Sequence, residues 1–318
     1  MFRFIQSRFF LQAIAVLAVV VWFIVQIVSS THYVAMPAPA LCWQFLAPLQ
    51  NHYVSMCLVL ALGFIIQVVL SDICFFRSGF GDTHHLMVVF WFFLLLCCGS
   101  FASEFSPVWF SNIILIITIS INFDYDSGNL KSRDLLSGIL IGLATLFYPP
   151  VILVSFFVMA SLIINRYSKY KDIFIFLLGI VLVYLYVVCF YFFNDRIADL
   201  QQQLSQLQFY NTIKATEVFS WKEILLVAAL AVSLLYFYVV LQLEYGNKQV
   251  LLRKRLFTIH LLTVTTLLLM VFSPFNIHQS MGFMVLPWCM YCSMISQIKQ
   301  HPFFNDIVML IYVVALCL

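Results

Sequence analysis

Apolar runs recur along this chain, and the loops between them are alternately basic and almost free of positive charge. Threaded back and forth through a layer, the runs put thirteen of the sixteen Lys and Arg residues on one side: Arg3, Arg8, Arg77, Lys131, Arg133, Arg166, Lys169, Lys171, Lys248, Arg253, Lys254, Arg255 and Lys299. The other side holds Arg196, Lys214 and Lys222, all within one long loop. A helix of about 20 mostly apolar residues crosses lipid with every backbone group satisfied inside the segment. Loops rich in Lys and Arg stay cytoplasmic. The pattern predicts an all-α fold, a polytopic transmembrane helical bundle of about ten or eleven segments. Its N-terminus is expected in the cytoplasm, with residues 1–318 forming one integral membrane domain.

Composition agrees with that solvent. The chain is 64% hydrophobic and 9% charged, whereas soluble domains carry roughly a quarter charged residues. It cannot coat its apolar residues with a polar shell. The runs are continuous and lack the alternation of a β-barrel strand. The net charge of +3 comes from loops on one side, so the expected partners are membrane lipids and not nucleic acid. Most of the nine cysteines (Cys57, Cys97, Cys98, Cys189, Cys289, Cys292, Cys317) lie in apolar runs and read as packing residues. Cys42 lies in a loop on the outer side. Cys289–x–x–Cys292 has redox-like spacing but no flanking strand.

The runs are Leu11–Ser30, Tyr53–Leu70, Leu86–Phe101, Val108–Phe123, Leu135–Asn165, Ile173–Phe193, Ile224–Leu243, Leu256–Ser273, Met281–Ser296 and Ile307–Leu318. Leu135–Asn165 is too long for one crossing and short for two. Pro149 and Pro150 remove two donors and disfavour helix at Tyr148, so a tight helical hairpin turning at Tyr148–Pro150 is expected. A single crossing there would also put every later basic loop on the wrong side. Ile307–Leu318 reaches about 18 Å at 1.5 Å per residue, short of a bilayer. Between Asn194 and Lys222, Ile197, Leu200, Leu204 and Leu207 recur at helical spacing among Asp and Gln, which predicts an external amphipathic helix within 194–222.

Ionisable groups inside a bilayer are costly and mark function by default. Here the thirteen acids lie in loops or near segment ends, and His260 is the histidine well inside a run, with Thr258, Thr263, Thr265 and Thr266 nearby. Asp124–x–Asp126 has the form of a carboxylate pair for Mg²⁺ or Mn²⁺ and equally that of a solvated helix end. Asp82 with His84–His85 suits a helix cap better than a metal site, because adjacent helical residues point apart. On the outer side Glu104 and Arg196, with His32, His52 and His278, are the groups from which an external site for a lipid phosphate can be built. No P-loop, G-x-G-x-x-G, zincin or serine-nucleophile motif is present, and no cofactor is expected.

The stretch from Lys131 to Pro150 contains Asp134, Gly138, Gly142, Tyr148, Pro149 and Pro150, and Tyr191-Phe-Phe-Asn-Asp195 ends a later run. Over residues 129–199 these resemble the signature of a family of uncharacterised multi-pass inner-membrane proteins of Gram-negative bacteria. The resemblance implies an inner-membrane location and roughly ten helices, without an activity. The Gly-x-x-x-Gly hairpin is also similar to polytopic glycosyltransferases that use polyprenyl-phosphate sugars. Those carry an acidic base in the first external loop, whereas Thr31–His52 contains no Asp or Glu. For Gly138 and Gly142 close helix approach is a sufficient account.

Three functions fit these residues. One is a non-enzymatic component of an envelope assembly, with an envelope protein as partner. Another is a lipid-linked glycan transferase or polymerase that uses Glu104, Arg196 or a histidine in an outward-facing cavity. The third is a transporter or flippase with a polar cavity near His260.

Overall fold

The computed structural model describes residues 53–80, 88–89, 91–92, 107–124, 130–166, 170–206, 221–246, 249–271 and 281–297. Their elements are α1 (Tyr53–Ser78), α2 (Pro107–Phe123), α3 (Leu130–Phe147), a 3₁₀ turn (Pro149–Leu153), α4 (Val154–Arg166), α5 (Tyr170–Phe193), α6 (Ile197–Gln206), α7 (Trp221–Tyr245), α8 (Val250–Val271), a second 3₁₀ turn (Met281–Phe283) and α9 (Val285–Gln297). The fold is all-helical, and no strand occurs among the described residues.

The helices outrun the apolar stretches that predict them. α1 continues past Leu70 through Asp72 to Ser78 because Cys74 and Phe75 keep one face fully buried. The hydroxyl of Ser71 donates to the Val68 carbonyl inside the helix. α3 starts at Leu130, which makes Asp134 a buried residue of its second turn instead of a loop acid. α8 likewise begins at Val250 and carries Arg253–Arg255. Within the described residues, two helices are long and apolar enough to cross a membrane, Leu58–Ser78 and Tyr170–Phe193. Pro107–Phe123, Pro149–Ile164, Val232–Tyr245 and Val285–Ile295 are apolar but shorter.

Contacts fix the helix directions. Gly138 of α3 meets Gly179 of α5, Gly142 meets Ile180 and Val183, and the Tyr184 hydroxyl donates to Thr145 Oγ1 at 2.8 Å. Position numbers rise together, so α3 and α5 run parallel. The chain between them must therefore travel back, which makes α3, the Pro149–Leu153 turn and α4 a hairpin. Tyr148 is extended (φ −144°, ψ 96°), and its neighbouring prolines start the 3₁₀ turn that reverses the chain. α1 and α2 are also parallel, with Gly63 beside Trp109 and Ile113 and Gln67 bonded to Asn112. α2 and α3 are antiparallel: Phe110 stacks on Phe147, Ser111 donates to the Ala144 carbonyl, and Arg133 meets Asp124. α8 and α9 are antiparallel as well, since His260 pairs with Tyr291 while Thr266 reaches Met284.

These directions give the bundle two distinct ends. Arg77, Lys131, Arg133, Lys171, Arg253, Lys254 and Arg255 gather at one, where α1, α2 and α7 finish and α3, α5 and α8 begin. The opposite end holds the Tyr148–Phe283 ring stack (5.4 Å) and α6. Within the expected amphipathic segment, Leu200 of α6 is buried with Leu146 and Val183, whereas Ile197 stays largely exposed. A single core containing Phe64, Trp109, Phe157, Phe237 and Trp288 joins the remaining helices.

The α3–α5 crossing is backbone on backbone. A Cβ at Gly138 would fall on the Phe176 carbonyl oxygen, and one at Gly179 would lie 2.5 Å from the Leu135 oxygen and 2.9 Å from the Ile139 nitrogen. No rotamer change relieves a clash with backbone, so the helices must separate. Gly138→Val or Gly179→Val is expected to destabilise the protein by about 3 kcal/mol, the upper end for overpacking. Thermal unfolding in detergent measures this, and wild-type melting of either variant would disprove the contact.

α5 ends in a Schellman motif. Asp195 lies in the left-handed region (φ 54°), its N–H donates to Phe192 O (3.1 Å), and the N–H of Arg196 donates to Tyr191 O (2.9 Å). Asp and Asn tolerate this conformation, whereas a β-branched side chain pays about 1–2 kcal/mol for it. Asp195→Gly should leave thermal stability equal or slightly raised and Asp195→Val should lower it; the reverse order would exclude the cap.

Candidate functional site

His260 is buried and stands midway along α8. Its Nδ1 lies 2.6 Å from the Tyr291 hydroxyl of α9, and Thr263 Oγ1, one turn along α8, lies 3.0 Å from the same hydroxyl. Tyr238 of α7 covers the imidazole at 4.7 Å between ring centres. Phe237 packs against both Trp288 and Tyr291. Three helices thus meet on one polar group inside an aromatic shell.

The protons of this cluster can be arranged in two bonded ways. When Thr263 donates to the Ile259 carbonyl (2.9 Å), Tyr291 donates to Thr263 and His260 donates from Nδ1. When Thr263 donates to Tyr291, Tyr291 donates to Nδ1 and the imidazole proton sits on Nε2. Neither arrangement gives Nε2 a partner among the described residues. Among the described residues the bonds of this cluster join side chains of α8 and α9 and involve no carboxylate. Its immediate capacity is to tie α8 to α9.

A second polar tie joins α1 to α2. Asn112 Nδ2 donates to Gln67 Oε1 at 3.0 Å, both side chains are buried, and Gln67 Nε2 has no partner among the described residues. A search restricted to ionisable groups passes over these amides, although both stand in mid-run in the sequence. Tyr291 and Tyr238 escape notice for another reason: tyrosine counts as apolar in a hydropathy reading while its hydroxyl acts as a polar hub.

The basic end contains the third cluster. Arg133 grips α2 from α3, donating to the Asp124 carbonyl at 2.5 Å and to its carboxylate at 2.6 Å, while Arg77 of α1 stands 3.8 Å from the same carboxylate. Arg255 of α8 donates to the Ser78 carbonyl at the end of α1 (3.1 Å). Gly79 follows with φ 75°, and a Cβ there would strike that guanidinium. Arg133 and Arg255 each cap the C-terminus of a helix other than their own, where the exposed carbonyls and the dipole favour a cation.

The other sequence candidates are dispersed. Asp124 is held by two guanidinium groups, and its neighbour Asp126 lies outside the described residues, as do Glu104, His32, His52 and His278. Arg196 is exposed at the far end, remote from His260. Gly138 and Gly142 stand at the α3–α5 contact, Tyr148, Pro149 and Pro150 at the hairpin turn, and Asp134 is buried with polar company. Among the described residues no three His, Cys, Asp or Glu side chains converge to hold a metal ion. Cys74, Cys289 and Cys292 are free and buried, and Cys189 is free and partly buried.

These features define an all-helical bundle with one basic end and internal polar ties. Residues 23–318 match the Family of unknown function (DUF6427), and the chain belongs to that family. No curated protein and no solved structure matches the chain.

If the His260–Tyr291 bond ties two helices, the residues are energetically coupled. A double-mutant cycle with His260→Phe and Tyr291→Phe should give an interaction of about 0.5–1.5 kcal/mol, the net worth of one hydrogen bond. Additive losses in unfolding measurements would remove the tie. Arg133→Gln should cost about 1.5–3 kcal/mol, as loss of bonds to a charged group, whereas Lys131→Gln should change stability by less than about 0.5 kcal/mol. Equal losses in thermal unfolding would refute the clamp.

Proposed function

We propose that this chain is a multi-pass inner-membrane protein acting as a non-enzymatic component of an envelope assembly. The observation that carries the membrane reading is inverted polarity. On α1, Gln67 and Ser71 are buried while Leu58 and Leu62 (each 59% exposed), Ile65 and Val69 face outward. On α2, Ser111, Asn112, Thr118, Ser120 and Asn122 are buried. In water this arrangement loses roughly 25 cal/mol for every Å² of apolar surface left exposed. In lipid it is favourable, because inward-facing polar groups find partners that hydrocarbon does not offer. The basic end then faces the cytoplasm by the positive-inside rule.

The assembly reading draws on how the polar groups are used. Gln67 bonds Asn112, Tyr184 bonds Thr145, Tyr291 serves His260 and Thr263, and Arg133 and Arg255 cap helices. Each of these bonds links two helices to each other. The unpartnered Nε2 of His260 favours a small-molecule carrier as the second reading. Native mass spectrometry of protein gently extracted from its membrane separates them. A protein partner at fixed stoichiometry is expected; a retained polyprenyl-phosphate lipid without a protein would instead support the glycan or flippase chemistry. Impermeant maleimide should label Arg253→Cys in inside-out vesicles and Arg196→Cys in intact spheroplasts. Labelling of both from one side would overturn the orientation.

A further inference from the structure

α5 buries one stripe, Phe176, Gly179, Ile180 and Val183, with Tyr184, Val187 and Tyr191 partly buried beside it, and leaves a broad opposite face exposed. The open face is ordered along the axis. Tyr170 (92% exposed) and Phe174 stand at the basic end, Val181, Leu182 and Leu185 in the middle, and Phe192 and Phe193 (81% exposed) at the far end. Lys171 is exposed near one limit, and Arg196 lies just beyond the other. Exposed rings lie toward both ends, Tyr170 and Phe174 at one and Tyr186, Phe190, Phe192 and Phe193 at the other. Aliphatic residues fill the centre, and charged groups (Lys171; Asp195 and Arg196) stand at the margins, a distribution that a bilayer imposes on a surface it touches. From Tyr170 to Phe193 the rise is about 35 Å at 1.5 Å per residue. That fits a hydrocarbon layer of about 30 Å with a tilt of about 30°.

The same face is poorly suited to another helix. Helices pack in membranes through small residues, and Gly179 is already used against α3. What remains outward is Leu, Val, Phe and Tyr. At the far end the Schellman turn stops α5, and Leu200 holds α6 against Leu146 and Val183. Arg196 is thereby left exposed where the hydrocarbon ends.

We propose that α5 and the turn into α6 form a phospholipid-binding edge: acyl chains cover the aliphatic belt, Tyr170 and Phe193 sit at the two hydrocarbon boundaries, and Arg196 binds a headgroup phosphate. This rests on the membrane reading above. The test uses the full chain, reconstituted in vesicles of phosphatidylethanolamine and phosphatidylglycerol, with photoreactive benzoylphenylalanine replacing Val181 or Phe193. The expected result is a phospholipid adduct at both positions. An adduct to a second copy or to another protein at Val181 would overturn the edge while the membrane reading stands. Release of the chain from vesicles by carbonate wash would defeat the membrane reading itself. Arg196→Glu should reduce phosphatidylglycerol retained in native mass spectra about fivefold, the effect of one basic group near an anionic surface, and Arg196→Lys should largely preserve it. Unchanged retention in Arg196→Glu would remove the headgroup site.

Discussion

The contact of Gly138 with Gly179 governs the course of the central chain. With side chains absent on both sides, α3 and α5 approach until backbone meets backbone, and that contact sets them parallel. Two parallel helices separated by a single short segment require the segment to return the full distance. The Pro149–Leu153 turn and α4 make that return, with the prolines supplying a reversal that no continuous helix permits. Tyr148, fully buried against Phe283, anchors the turn to the start of α9. Glycine pair, proline pair and tyrosine therefore form one device in which each member is needed for the others to take effect.

The basic end carries two roles at once. Arg133 and Arg255 satisfy the last carbonyls of α2 and α1, groups that every helix leaves without an internal partner. Because each arginine starts from a different helix, capping also fixes which helix ends lie together. Charges that orient a chain in lipid would here be spent on holding the bundle closed. Lys171 and Arg253 are exposed at the same end. An arginine is suited to the clamp because its planar fork reaches carbonyl and carboxylate together, as Arg133 does at Asp124.

Legibility in the sequence followed the physical range of each signal. Helical periodicity at Ile197 and Leu200 is local, and so α6 could be read directly, as could the break at Pro149–Pro150. Alternation of basic loops is a global pattern and fits the helix directions that contacts establish independently. The helix ends were not legible, because hydropathy follows the apolar stretch while α1, α3 and α8 extend through Asp72, Asp134 and Arg255, side chains that are partly or fully buried. Nor were the pairings Gln67–Asn112 and His260–Tyr291, since each joins residues far apart in the chain. Nothing in a single sequence says which helices face each other.

The same pairings bear on what kind of protein this is. A site that binds and releases a substrate needs polar groups left open to it, whereas a scaffold uses them up. In this bundle the amide pair, the Tyr184–Thr145 bond and the Tyr291 hub each consume hydrogen-bonding capacity across a helix interface. Such bonds are worth little individually, about 0.6 kcal/mol on average in membrane proteins, yet they are directional where apolar packing is not. Their spread over α1–α2, α3–α5 and α8–α9 specifies which helices pair, a demand that hydrocarbon contacts among Leu, Ile and Phe leave open. Among the described residues Gln67 Nε2 and His260 Nε2 are left without a partner, and they lie in different helix pairs. The polar groups of the described residues are thus divided among separate helix pairs, each pair fixed by its own bond.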